Sequence, residues 1–106
     1  MQARSIVFAL TLLCASPAIA EDEIDIDYNI NGFSPTTLRV PVNQPFTLEV
    51  ENDSTDTIEF YLHAQEIELG IPAGEEREVS VQPLAAGEYM FENALDSSKK
   101  GVLIAE

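Results

Sequence analysis

Period-two alternation constrains this chain more than any other feature. Ile24-Asp25-Ile26-Asp27-Tyr28-Asn29-Ile30 and Phe46-Thr47-Leu48-Glu49-Val50-Glu51 set apolar and polar residues strictly in turn. Successive side chains of an extended strand point to opposite faces, so each run reads as a strand with one dry face and one wet face. A helix needs apolar residues three and four apart, and no long stretch of residues 21–106 keeps that spacing. After the second run, Asn52 to Asp56 is a loop by composition, because Asn, Asp and Ser bond their own backbone. Ile58 to Leu62 resumes strand chemistry, an acidic excursion follows, and Ile71-Pro72-Ala73-Gly74 closes the unit with a turn signal.

The rest of the chain repeats this grammar. Asn31-Gly32 is a turn, Phe33 is expected to plug the core, and Ser34-Pro35 bends the backbone. Thr37–Val40, Arg77–Val81 and Glu88–Glu92 are short strands, with Tyr89 and Phe91 on one face of the last. Pro41 and Pro45 hold their segments at an edge or in a turn. Asn93 to Lys100 reads as a polar loop, and Gly101 to Ala105 as a strand covered on both faces. About seven short strands with Pro/Gly punctuation predict an all-β fold, a single Greek-key β-sandwich over residues 21–106.

Residues 1–20 read as a signal peptide. Arg4 supplies the positive start, Ile6 to Leu13 a short apolar core, and Ala18-Ile19-Ala20 the small-x-small pattern of a cut after Ala20. The apolar run falls short of the ~20 residues that span a bilayer, so the secreted chain is expected not to span a membrane. Leu13 stands before Cys14 where lipidation signals place a small residue, which argues against a lipoprotein.

Cleavage removes Arg4 and Cys14, leaving 4 of the 5 basic residues against 19 acidic ones and no cysteine. Without cysteine there is no disulfide, no thiolate nucleophile and no copper–thiolate bond. The negative charge argues against nucleic acid and anionic membranes as partners and favours cations or a basic protein surface. Enzyme signatures are missing: there is no Gly-rich phosphate loop, no cysteine nucleophile and no Ser/His/Asp arrangement in motif context. So small a domain also offers little cleft for a glycan.

Candidate metal donors are carboxylates and one imidazole. Glu59 alternates with Ile58 and Phe60; facing solvent it is a wet-face residue, facing a pocket at the sandwich end it is a ligand. His63, the single histidine, stands four residues on, where the chain leaves the strand. Met90 points away from Tyr89 and Phe91 and offers a thioether. Asp25, Asp27 and the Glu75-Glu76-Arg77-Glu78 run read as solvated faces that together make an acidic docking surface.

Phe33-Ser-Pro-x-x-Leu38-x-Val40-Pro41 and Gln44-Pro45-Phe46-x-Leu48-x-Val50-x-Asn52 open a series of motifs spread over the chain. Glu59-Phe60, Ile71-Pro72-Ala73-Gly74, Leu84-x-x-Gly87-x-Tyr89-x-Phe91 and Gly101-x-Leu103 continue it. In order and spacing the series resembles a cupredoxin-like domain, closest to the small periplasmic ones associated with bacterial iron uptake. The resemblance implies a periplasmic protein that handles iron or copper ions beside a periplasmic iron-binding protein and a high-affinity iron permease. Its enzymatic part would be at most an accessory one in ferrous oxidation. Blue-copper members use two His, a Cys and usually a Met; the first His position looks like Glu59, and the final loop holds neither Cys nor His. A type 1 copper site is therefore not expected, and carboxylates select harder ions. The iron-associated members imply Glu59 and Glu68 as ligands at one end of the sandwich, Asp96 and Glu92 as the loop contribution, and His63 as an added nitrogen donor.

Overall fold

The computed structural model describes residues 22–106; the expected signal peptide, its cut after Ala20, Arg4 and Cys14 lie outside the described residues. The alternating runs form strands. In chain order they are β1 (Asp22–Asn29), β2 (Gly32–Ser34), β3 (Thr37–Val40), β4 (Phe46–Asn52), β5 (Ile58–Leu62), β6 (Ile67–Ile71), β7 (Glu76–Val81), β8 (Gly87–Asn93) and β9 (Asp96–Ala105). A 3-10 turn, His63–Gln65, joins β5 to β6 and ends in Glu66 at φ 52°. No helix of the described residues is long and apolar enough to cross a membrane.

Two sheets face each other. One has the order β3-β9-β8-β5-β6, the other β2-β1-β4-β7. β1 runs parallel to β4 and β3 parallel to β9, while the remaining pairs are antiparallel. The expected β-sandwich is thus present, with nine strands among the described residues rather than about seven.

The dry faces of both sheets meet in one core. Ile26, Phe46, Leu48 and Val50 come from the four-stranded sheet, and Ile58, Phe60, Leu62, Phe91 and Leu103 from the other. Each such side chain contributes roughly 1.5–3 kcal/mol by leaving water. Phe33 does plug this core: its ring lies edge-on to Tyr28 (4.8 Å), Phe60 (6.0 Å) and Phe91 (5.0 Å). Gly101 is required where β9 passes the Phe91 ring. A Cβ there would collide with that ring and sit 2.6 Å from the Thr36 carbonyl.

Two buried amides tie the ends of strands. Asn52 donates from Nδ2 to the carbonyls of Asp56 (2.8 Å) and Ile71 (3.0 Å), and its Oδ1 accepts from the Ser54 amide and hydroxyl. Asn93 accepts on Oδ1 from the amides of Glu59 (3.0 Å) and Leu95 (3.1 Å) and donates to the Tyr28 hydroxyl (3.1 Å).

Three local expectations are corrected. The acidic excursion contains a strand, β6, at the sheet edge. The polar loop from Asn93 to Lys100 is mostly hairpin, since β9 already starts at Asp96, with a register shift between Asp96 and Lys100. Residues 101–105 are fully buried on one face and only partly covered on the other: Leu103 and Ala105 are buried, Val102 and Ile104 half-buried.

Candidate metal centre

Ile58, Phe60 and Leu62 point into the core, so Glu59 and Tyr61 point outward from the five-stranded sheet, both half-buried. On β6, Gly70 stands opposite Glu59 and Glu68 opposite Tyr61. Glu68 is therefore the diagonal neighbour of Glu59 on the same outer face, at the ~7–8 Å typical of such pairs. On the other side Tyr61 faces Glu92, which faces Lys100 on β9. His63, at the start of the 3-10 turn, lays its ring edge-on to Tyr61 at 4.6 Å and brings Nε2 to 3.5 Å from Glu92 Oε2.

Four of the five expected ligands, Glu59, Glu68, Glu92 and His63, thus share one outer face, and two of them touch. The face is not the end of the sandwich. Glu92 belongs to β8 and not to a loop. Asp96 is elsewhere, in the hairpin, where Oδ1 accepts the Ser98 hydroxyl (2.7 Å) and amide (3.3 Å). The hydroxyl bond holds its carboxyl below the ordinary range. Met90 is exposed on the outer face, across from Val102.

Among the described residues these five form no group of three with ligand atoms within 4.8 Å of one another; Glu23/Glu49/Glu78 and Asp27/Glu51/Asp53 do. Asp53 follows the end of β4, and Glu23, Glu49, Glu78, Asp27 and Glu51 stand on the outer face of the four-stranded sheet. There the register sets Asp25, Glu49 and Glu78 in one row and Asp27, Glu51 and Glu76 in the next. No Lys or Arg of the described residues pairs with them: Arg77 bonds Glu75 and Arg39 bonds Glu106. Crowded carboxylates hold protons longer. Hydrogen bonds to Glu76 and Asp25 push the Glu49 carboxyl up to about 8. Glu23 is raised by burial first and by Asp25 and Glu78 next, and Glu51 by repulsion from Asp53 first.

A third place lies at the end of the sandwich, between the 53–57 loop and the β8–β9 hairpin. A cleft of about 320 Å³ opens there, with Tyr28, Ile58 and Asn93 at its floor and Asp56, Asp96 and Lys99 among its lining. The β5 residue that reaches this cleft is Ile58; Glu59 points away from it.

The profile of the family described as Cupredoxin-like domain matches residues 3–105. The chain belongs to that family. Solved structures with the same fold include an apo copper binding protein (19% identity, TM-score 0.72, 86% of this chain and 93% of that one). Auracyanin B is similar at 15% identity and TM-score 0.67, over 86% and 93% of the two chains. So is the metal binding domain of the Streptococcus pneumoniae D39 Cu(I) exporting P-type ATPase CopA, at 20% identity and TM-score 0.68 over 87% and 92%. None of the curated proteins matches the chain in sequence.

For this cupredoxin-like chain the triads were the part that sequence reading missed. Asp25, Asp27 and Glu78 were legible as wet-face residues. Their convergence depends on β1 lying parallel beside β4, which no local pattern states. Strand parity carried more for Glu59 and Glu68, whose shared face follows once β5 and β6 form a hairpin.

Proposed function

We propose that this cupredoxin-like protein handles transition-metal ions, copper or iron, outside the cytoplasm, and does so with hard and borderline donors in place of a type 1 copper site. The observation that carries this is the His63–Glu92 contact, an imidazole nitrogen 3.5 Å from a carboxylate oxygen, with Glu68 and Glu59 on the same face. Imidazole with carboxylate suits Cu²⁺ among available ions, and added carboxylates extend the set to ferric iron. The chemistry a bound ion would supply is charge and, for copper, one-electron redox. The chain's own residues would hold it: His63 and Glu92 first, Glu68 and Glu59 by side-chain reorientation across Tyr61. Asp96, held by Ser98, would act only from the separate end of the sandwich. Periplasmic residence, a periplasmic iron-binding protein and an iron permease as partners, and an accessory part in ferrous oxidation complete the proposal on the strength of the sequence resemblance.

Metal titration tests it. Cu²⁺, Fe³⁺ and Mn²⁺ are added separately while calorimetric heat and melting temperature are followed. One ion should bind specifically, and both His63→Ala and Glu92→Gln should weaken it by about tenfold or more, because each removes a direct ligand. Binding untouched by either change sinks this site.

A second reading has its own observation: the carboxylate rows on the four-stranded sheet, to which no described basic side chain is paired. Such a face would dock a basic protein surface and speed encounter more than it strengthens the complex. Its signature is heat common to all cations, abolished by salt and reduced by Glu51→Gln.

A further inference from the structure

The end cleft holds groups that the metal reading leaves unused. Its floor is buried: Ile58 is 1% exposed, Asn93 3% and Tyr28 6%. Its rim is apolar, for Ile30 (80% exposed) and Leu95 (63%) both border it and are two of the three large hydrophobic residues exposed among the described ones. The Tyr28 hydroxyl accepts a hydrogen bond from Asn93 Nδ2, yet its own proton meets no acceptor among the described residues. A buried phenol is normally satisfied, and an unmet donor costs ~1–3 kcal/mol. Lys99, half-buried with its stem against Gly32, forms no direct ion pair among the described residues, although its charge is felt by Asp96 across the cleft lining. The Asp56 carboxylate is likewise without a described partner, although its backbone carbonyl serves Asn52 and Ser54.

We infer that this cleft binds a small zwitterion of the amino-acid type. The ligand's carboxylate takes the Tyr28 proton and the Lys99 ammonium. The ligand's ammonium faces Asp56, with Asp96 beside it, and an aliphatic side chain covers Ile30 and Leu95. A ligand of zero net charge suits a chain of formal net charge −14, because a free anion would be repelled on approach. The volume, about 320 Å³, lies at the small end of ligand pockets and admits a molecule of this class.

The test is a two-dimensional amide NMR titration of the ¹⁵N-labelled chain in excess chelator, with L-leucine as probe and acetate and n-butylammonium as controls. Saturable shifts are expected at residues 54–58 and 93–99 with leucine, and none that saturate with either control. Lys99→Gln and Asp56→Asn, both at the cleft's open side, should each weaken leucine about tenfold, the loss of one charge-assisted hydrogen bond. Their own spectra report whether the fold is kept, and Tyr28→Phe serves as a third variant that preserves the ring. No saturable shift up to the solubility limit of leucine overturns the inference. So does saturation by acetate or n-butylammonium alone, which would make the cleft a single-charge site, or shifts centred on His63 and Glu92. Because chelator is present throughout, failure here leaves the metal reading untouched, and success does not depend on it.

Discussion

Replacing Asn93 by alanine tests whether one buried amide holds the end of the sandwich together. Its side chain links three segments: it receives the amides of Glu59 on β5 and Leu95 in the hairpin, and it donates to Tyr28 at the end of β1. Each bond is worth ~0.5–1.5 kcal/mol net, so the truncation should cost about 3 kcal/mol. Leu95 is exposed, and water can replace its partner; the Glu59 amide is the donor left most poorly satisfied. For a domain of this size 1 kcal/mol moves the melting temperature by roughly 4–8 °C, which gives a fall of about 12–24 °C. Urea denaturation followed by far-UV circular dichroism measures the free energy directly. Asn31→Ala, an exposed turn position, is the control and should stay within ~0.5 kcal/mol of the parent. Combining Asn93→Ala with Tyr28→Phe should recover ~1 kcal/mol of coupling, since the two changes remove the same bond. A loss below about 1 kcal/mol for Asn93→Ala, or zero coupling, would refute the claim that these bonds bind the three segments.

Other expectations follow from the same structure. Gly101→Ala should destabilise by at least ~1–3 kcal/mol, because the new methyl must displace the Phe91 ring or the Thr36 carbonyl; an unchanged urea midpoint would contradict this. The Glu49 carboxyl titrates higher folded than unfolded, so its favourable contribution is complete below its ordinary value near 4.5 and is lost as pH rises through about 8. The melting temperature should therefore decline from pH 5 to 9, and Glu49→Gln should flatten that decline; an identical slope in the variant would count against the shared-proton account. For Asp96 the sign reverses. Its lowered value stabilises the fold above its ordinary 3.8 and ceases to do so as pH falls through the folded value. Ser98→Ala should accordingly raise the Asp96 midpoint in an NMR titration.

What the sequence disclosed and what it withheld divide along physical lines. Alternation in 24–29 and 46–51 is written residue by residue, and both runs are strands because one face of each has a core to enter; Ile30, which continues the first pattern, lies past the end of its strand and is 80% exposed. Ile67-Glu68-Leu69-Gly70-Ile71 alternates as well, but Gly70 puts no side chain on the outer face, and the strand lies at an edge with only Ile71 fully buried, so its signal is weak. Ser97 to Lys100 looked like loop because that part of β9 is mostly exposed, where composition follows solvent and not backbone geometry. The candidate site divides in the same way. That Glu59 and Glu68 are outward neighbours follows from parity and a hairpin. The His63–Glu92 contact and the carboxylate triads join strands distant in sequence, and such pairings are set by how the whole core closes.

The position of β9 makes one sheet depend on a pairing between segments distant in the chain. It follows the other eight strands of the described residues in chain order, yet it lies inside its sheet, between β8 and β3. Until Val102–Ala105 arrive, Thr37–Val40 have no hydrogen-bonded neighbour in that sheet. The first strand of the five in chain order is completed only by residues far along the chain, and closing so long a segment adds its entropic cost to that step. Removing residues 97–106 would forfeit two pairings at once and leave a hydrophobic half-sheet open to other chains.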